Sequence, residues 1–225
     1  MRIDHQIALS YRSRWLKGYV KAKLRSDPVY EAVYQLIGET ERPLLDIGCG
    51  IGLLAAYLLQ RGSHKPITGL DYDSRKIEEA RHASRNWNPR PTFLQQDAAQ
   101  PFVFQGDVVI LDVLHYLTDE AQLSVLSSAA ASVEPGGYLI IRECLRERSL
   151  RYRLTWLEER FATSIHWLKA DRLNFPSREE IETPLLEKGF SSEVRRLSGR
   201  MPFNNYLLTF RAPASKVSTD GMMKS

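Results

Sequence analysis

Leu44-Leu45-Asp46-Ile47-Gly48-Cys49-Gly50-Ile51-Gly52 is the stretch whose reading decides the fold. Behind Pro43, four residues that are apolar but for Asp46 read as a short strand, and three glycines at alternate positions turn the chain into a helical pattern over 53–61. Gly62 closes that helix as a left-handed cap. A strand bent sharply into a helix through glycine lets a ligand approach the backbone, and the first amides of the helix carry unpaired donors and a partial positive charge. A dinucleotide-binding turn wants its third glycine where this chain has Leu53, which counts against a nicotinamide oxidoreductase.

Outward from this turn, strand signals recur at 67–70, 92–94, 107–111 and 138–141, with helical stretches over 74–84 and 119–133. In the second helix Leu123, Leu126, Ala130 and Val133 fall on one face before Pro135-Gly136 ends it. Strand alternating with helix implies an α/β, doubly wound parallel sheet covered on both faces. Upstream, Tyr11, Trp15, Tyr19, Leu24, Val29, Val33, Leu36 and Ile37 lie among Arg and Lys and suit helices laid over a core, with Asp27-Pro28 as a helix start. After Arg142 the rhythm breaks, and residues 143–176 read as a helical insertion over the carboxyl edge of the sheet. A further helix over 177–188 is capped by Gly189, and 193–197 with 205–211 make a terminal strand pair. The chain divides into an N-terminal helical cap (1–42), a main domain (43–212) and a flexible tail (213–225).

Length and composition set the outer bounds. In 225 residues, 43% hydrophobic and 26% charged, there is room for one good core and little for a second domain. No apolar run approaches the roughly 20 residues of a membrane-spanning helix, and the first residues lack the apolar stretch of a signal peptide, so a cytoplasmic location is expected. Two cysteines far apart, Cys49 and Cys144, make neither a disulfide framework nor a metal pair. A formal charge of +4, from 31 basic and 27 acidic residues, is weak support for a nucleic-acid partner.

The chemistry gathers near the glycines. Asp71 ends the second strand about 20 residues on, where an acid can accept from both ribose hydroxyls of an adenosyl ligand, and Asp97 ends the third, where it can accept from an adenine amino group. Asp73 and Ser74 are better placed than Asp71 to cap the next helix.

Taken in order, the glycine stretch, Gly69-Leu70-Asp71, Gln96-Asp97-Ala98, the run from Asp107 through Asp112-Val113-Leu114-His115-Tyr116-Leu117, and Pro135-Gly136-Gly137-Tyr138-Leu139 resemble the ordered motifs of class I S-adenosylmethionine-dependent methyltransferases. That resemblance implies a three-layer, seven-stranded, mostly parallel sheet with one reversed strand. It also implies a cofactor, S-adenosylmethionine, with S-adenosylhomocysteine (SAH) as product. Asp46 and Gly48 would meet its methionine end, with Cys49 in the same turn. Gly50 and Gly52 would leave it room, Asp71 would hold the ribose, and Tyr72 would lie against the adenine. Asp97 would take the amino group, with Ala98 beside it, and Asp112 would line the site beneath the sulfonium. The whole chain is similar in outline to bacterial methyltransferases of pigment clusters such as those for aryl polyenes.

Methyl transfer from a sulfonium is an in-line displacement in which the protein chiefly positions the partners. His115 and, in the insertion, His166 are the candidate bases for an acidic acceptor, each with an ordinary packing or surface role as its rival. Arg142 and Glu143, at the end of the fifth strand, suit contact with an acceptor or a solvated ion pair. Arg146, Arg148, Arg151 and Arg153 with Tyr152 suit an anionic acceptor or a solvated face. Trp156, Phe161, Trp167 and Phe203 suit an apolar pocket or plain core. No metal is expected. The acceptor is read as small or medium-sized, aromatic or apolar, free or carrier-bound. The rivals are an RNA methyltransferase, disfavoured because Asp112-Val113-Leu114-His115 stands where nucleobase enzymes carry an Asn-Pro-Pro-Tyr type motif, a nicotinamide oxidoreductase, and a non-catalytic adenosyl-binding module. Asp71→Ala is expected to weaken cofactor binding while leaving the fold intact.

Overall fold

In the computed structural model of the chain, residues 2–146, 173–197 and 205–214 are described. The apolar run Leu44–Ile47 forms β1, buried along its whole length, and runs parallel to both β2 (Ile67–Asp71) and β4 (Asp107–Leu111). Strands with neighbours on both edges and helices on both faces have no solvent side, which is why these segments read as continuous rather than alternating apolar runs. Outside them lie β3 (Thr92–Gln95) and β5 (Tyr138–Cys144), both parallel to their neighbours. β7 (Asn205–Arg211) is antiparallel to both β5 and β6 (Ser191–Arg196). The order β3-β2-β1-β4-β5-β7-β6 contains seven strands with β7 reversed, as the motif order implied. The winding changes direction between β1 and β4, and in such sheets the crevice for a ligand opens there, beyond the carboxyl ends of the strands.

Helices α1 (Ile3–Leu9), α2 (Arg14–Ser26), α3 (Val29–Ile37), α4 (Leu53–Gln60) and α5 (Ser74–Ala83) cover one face, sharing a core with Leu44, Val109 and Ile140. α6 (Asp119–Ser132) and α7 (Arg178–Leu186) cover the other, over Leu45, Ile47 and Ile141. Polar caps set the starts: Ser13 accepts from the Leu16 amide, Thr118 from Ala121, and Ser177 and Glu180 make a reciprocal capping box. Asp27 accepts from the Val29 amide at 3.0 Å, so Asp27-Pro28 does begin α3. Among the described residues no helix is long and apolar enough to cross a membrane.

Two expectations change. The inner face of α6 is Gln122, Val125, Leu126, Ala129 and Ala130, and Leu123 is 54% exposed. Gln122 is drawn inward because its amide donates to the carbonyls of Leu114, Leu117 and Asn174, a polar bond that apolar periodicity does not reveal. β5 runs on through Arg142, Glu143 and Cys144, which pair with Leu207, Tyr206 and Asn205 of β7, so no insertion begins at 143. Most of the expected insertion, with His166, Trp156, Phe161, Trp167, Arg148, Arg151, Tyr152 and Arg153, lies outside the described residues, as do Phe203 and positions 215–225.

At the opposite edge of the sheet a charged clasp joins α3 to β4. Lys65, 1% exposed, donates to Thr40 Oγ1 at 2.7 Å and to the Ile37 carbonyl, with Asp107 3.9 Å away. Burial lowers the Lys65 pKa, and Asp107 opposes that shift. Asp107 in turn accepts from Thr40 at 3.1 Å and from the Tyr138 amide at 2.9 Å, so both of its oxygens are engaged.

Candidate active site

The glycine turn is held from three sides. The Gly48 and Cys49 amides both donate to the Leu70 carbonyl, at 2.8 and 2.9 Å, and the Gly50 amide donates to Asp71 Oδ2 at 2.9 Å. Asp71 Oδ1 accepts from the Asp73 amide at 2.9 Å. From the cap, the buried Tyr11 hydroxyl donates to the Ile51 carbonyl at 3.0 Å. Asp71 is therefore part of the turn's construction, and its removal costs stability as well as any ligand contact, contrary to the expectation that Asp71→Ala leaves the fold intact.

Gly48, Gly50 and Gly52 all have positive φ, at 75°, 54° and 80°. They serve different ends. A Cβ on Gly48 would lie 2.2 Å from Val113 Cγ2, so this glycine lets β1 close on the loop after β4. A Cβ on Gly50 would meet nothing within 4 Å, because Gly50 borders open space. Gly52 faces Phe93 and caps α4, and it does not line the crevice, so its part is packing rather than leaving room for a ligand.

That open space is a crevice of two chambers. The larger, about 340 Å³, lies between the glycine turn, the floor at Asp46, and Tyr19, Lys23, Asp27 and Tyr30 from the cap helices. The smaller, about 110 Å³, is lined by Asp71, Tyr72, Gln96, Asp97, Ala98, Val113 and Leu117. Gly48, Lys76, Asp112 and Tyr116 belong to both and form the waist. Asp46, Gly48, Cys49, Gly50, Asp71, Tyr72, Asp97, Ala98 and Asp112 all border this crevice. Asp97 is exposed, with Oδ1 accepting from the Ala99 amide, and Tyr72 is 46% exposed.

Electrostatically the site is acidic where a cationic ligand would sit. Asp46 is 2% exposed, and burial, reinforced by the charge of Asp71, raises its pKa to about 7. Asp112 adopts φ 57°, the only positive φ at a non-glycine among the described residues, and its carboxylate pairs with Arg142. Arg142 also donates to Asp27 at 2.8 Å, and Lys23 stands 2.8 Å from the same carboxylate. Burial acts to raise Asp27, but Arg142 and Lys23 hold it below its ordinary value. Of the two readings of Arg142 and Glu143, the solvated pair is absent: consecutive residues on a strand face opposite ways, and both side chains are buried.

Glu143 reaches the other face. His115 Nδ1 lies 2.5 Å from Glu143 Oε1, and the His115 ring stacks on Phe175 at 5.0 Å. His115 is 1% exposed, adjacent to Tyr116, and does not line either chamber. His166 lies outside the described residues. Sequence reasoning passed over Lys76, Tyr19, Lys23 and Tyr30. The available signal was modest: Tyr19 and Lys23 are four apart on α2, hence on one face, and Lys76 occupies the first turn after the Asp73 cap.

Comparison with known proteins adds to this geometry. Residues 44–137 match the family model described as a methyltransferase domain. The chain is 34% identical over 138 residues to a ubiquinone biosynthesis O-methyltransferase of Vibrio vulnificus, covering 56% of each protein. It is 39% identical over 110 residues to a ribosomal protein L11 methyltransferase of Photobacterium profundum, covering 47% of this chain and 34% of that one. The match thus spans about half the length, or less, of these curated relatives. A solved magnesium protoporphyrin IX methyltransferase from Synechocystis PCC 6803, with bound SAH, superposes with a TM-score of 0.66 at 22% identity, over 92% of this chain and 91% of that one. At that identity the likeness is one of fold.

Proposed function

We propose that this chain, which carries a class I S-adenosylmethionine-dependent methyltransferase domain, is an enzyme that methylates a small or medium-sized aromatic or apolar acceptor. The observation that carries the reading is the two-chambered crevice at the winding reversal, acidic on its floor and joined at the Gly48 and Asp112 waist. An adenosyl group suits the smaller chamber, and the methionine portion and acceptor suit the larger. Bound there, S-adenosylmethionine supplies an electrophilic methyl on a sulfonium.

The chain's own residues do the positioning. Asp46 would take the ammonium group. A carboxylate has about four acceptor sites, so Asp71, with two used by Gly50 and Asp73, keeps capacity for a ribose hydroxyl. Tyr72, Asp97 and Ala98 would border the adenine, and Asp112, fixed by Arg142, would face the sulfonium. The acceptor would lie among Tyr19, Tyr30 and Tyr116, whose rings exclude water and align its nucleophilic atom. The relative named as an O-methyltransferase supports an oxygen acceptor. For a phenol, His115 is the assigned proton acceptor; it lines neither chamber itself and would take the proton by way of the neighbouring Tyr116, with Glu143 holding its Nδ1 side. His166 is the second assigned base.

The test is titration calorimetry with S-adenosylmethionine, SAH and NADH, followed by transfer of labelled methyl to soluble phenols. Binding of the first two in the micromolar to sub-millimolar range is expected, with label on phenolic oxygen and a loss of turnover in His115→Gln that shifts the pH profile. Binding of NADH instead, or of none of the three, would overturn the reading.

A further inference from the structure

Positive charge in this protein is concentrated at one end. Residues 1–26 contain seven Lys or Arg against one Asp, leaving 24 basic and 26 acidic side chains for the rest of a chain whose formal charge is +4. Four of the seven are engaged: Arg2 and Arg25 on Asp4, Arg12 on Glu79 and Lys23 on Asp27. The other three, Arg14, Lys17 and Lys21, have no ion-pair partner among the described residues. Positions 14, 17, 21 and 25 share one stripe of α2, opposite the stripe of Leu16 and Val20 that is buried in the core.

A second observation lies beside that stripe. Trp15 is 56% exposed, and Leu9, at the end of α1, is 54% exposed. The Trp15 ring stacks on Tyr19 at 5.9 Å and 7°, and Tyr19 lines the larger chamber. One short helix thus presents a row of cations, an exposed indole, and the rim of the crevice in succession around its circumference.

We infer that this face docks on an anionic lipid bilayer, with Arg14, Lys17 and Lys21 against the headgroups and Trp15 and Leu9 at the interfacial layer. A row of like charge along roughly 11 Å of helix suits a laterally uniform anionic surface, and an indole, apolar with one polar N–H, is suited to the depth where headgroups meet acyl chains. Because the apolar stripe of α2 is spent on the core, attachment is peripheral and salt-sensitive, not an inserted helix. The route from lipid along Trp15 and Tyr19 into the chamber rests on the proposed methyltransferase reading; the docking itself does not.

The test is cosedimentation of the whole protein with vesicles of phosphatidylcholine alone and of phosphatidylcholine with phosphatidylglycerol, at low and high salt. Binding to the anionic vesicles only, released by high salt, is expected. Lys17→Glu with Lys21→Glu should weaken it by on the order of 20-fold or more, since each basic residue near such a surface contributes about fivefold. Trp15→Ser should weaken it several-fold. Calorimetry with S-adenosylmethionine on the same samples should give the parent's affinity, which separates lost docking from lost folding and leaves the cofactor question independent. Equal binding to neutral vesicles, no binding to anionic ones, or full binding by the double variant would overturn the proposal. So would retention on immobilised polyglutamate without vesicle binding, which would give the stripe to an acidic polypeptide.

Discussion

Asp46 keeps its proton to a pH at which ordinary carboxyls have lost theirs. Its pKa in the folded protein, about 7, lies above the reference value of 3.8, because burial and the neighbouring Asp71 both disfavour its charge. The group is neutral in both folded and unfolded states at low pH. Its stabilising preference for the folded state is lost as pH rises from about 4 through about 7. A cation on that floor reverses the preference, so binding S-adenosylmethionine should release a proton below pH 7, and affinity should climb with pH by up to about tenfold per unit before levelling off. Calorimetry at pH 6 in two buffers of different ionisation heat reads the proton directly, and Asp46→Asn should abolish it. Affinity independent of pH from 5.5 to 8 would remove Asp46 from the methionine end. At this scale the sequence was informative where a residue type and a strand end coincide, as at Asp46, Asp71 and Asp97. It was silent on Lys76, because a lysine in the first turn of a helix looks the same whether it faces water or a crevice. It was also silent on the second duty of Asp71, since two backbone amides converging on a carboxylate leave no trace in composition.

The element that turns a strand end into a site is the glycine bend, and its glycines separate into a folding role and a space-keeping role. In Gly50→Ala the new methyl meets no protein atom within 4 Å, and the left-handed φ costs about 1–2 kcal/mol, a few degrees of melting temperature. The methyl occupies crevice space, so affinity for S-adenosylmethionine should fall at least tenfold. In Gly48→Ala the methyl would overlap Val113 Cγ2, a stiff β-branched partner, and the cost should rise to about 3 kcal/mol or more. Melting curves and titrations on both variants check this. If Gly50→Ala binds like the parent, the open space beside Gly50 is not where the ligand lies. Elements themselves were highly legible: β1 and β4 have the bounds that the apolar runs gave, since a buried parallel strand is flanked by chain-breaking residues. What escaped was decided by partners distant in sequence. β5 is longer than its apolar run because β7 pairs with Arg142 and Glu143, and Leu123 faces out because Gln122 found three carbonyls inside.

For the molecule as a whole, the cap helices are part of the core and also form one wall of the crevice. Sequence motifs covered about 44–143 and left the cap as flanking helices, because what joins it to the sheet is a chain of charges spread over four segments: Lys23, Asp27, Arg142 and Asp112. Arg142 is the hinge of that chain, with two carboxylates on one guanidinium that is itself only 7% exposed. In Arg142→Met the volume is nearly kept while Asp27 and Asp112 lose their common counterion, so the loss should be about 3–5 kcal/mol near neutral pH, as for other buried pairs broken on one side. The sign of its pH dependence follows from Asp27, whose pKa is depressed despite burial by Arg142 and Lys23. That stabilisation is present above the ordinary carboxylate range and is lost as pH falls through it, so the deficit of the variant should shrink toward pH 3. Adding Asp27→Asn should restore part of the stability, because the stranded charge is then removed. Affinity for S-adenosylmethionine should fall with the single change, since Asp112 at the waist is held by Arg142. Denaturant unfolding of the parent, the single and the double variants at neutral and acid pH measures each quantity. A deficit below about 1 kcal/mol, or one unchanged by acid, would mean that apolar packing alone holds the cap to the sheet.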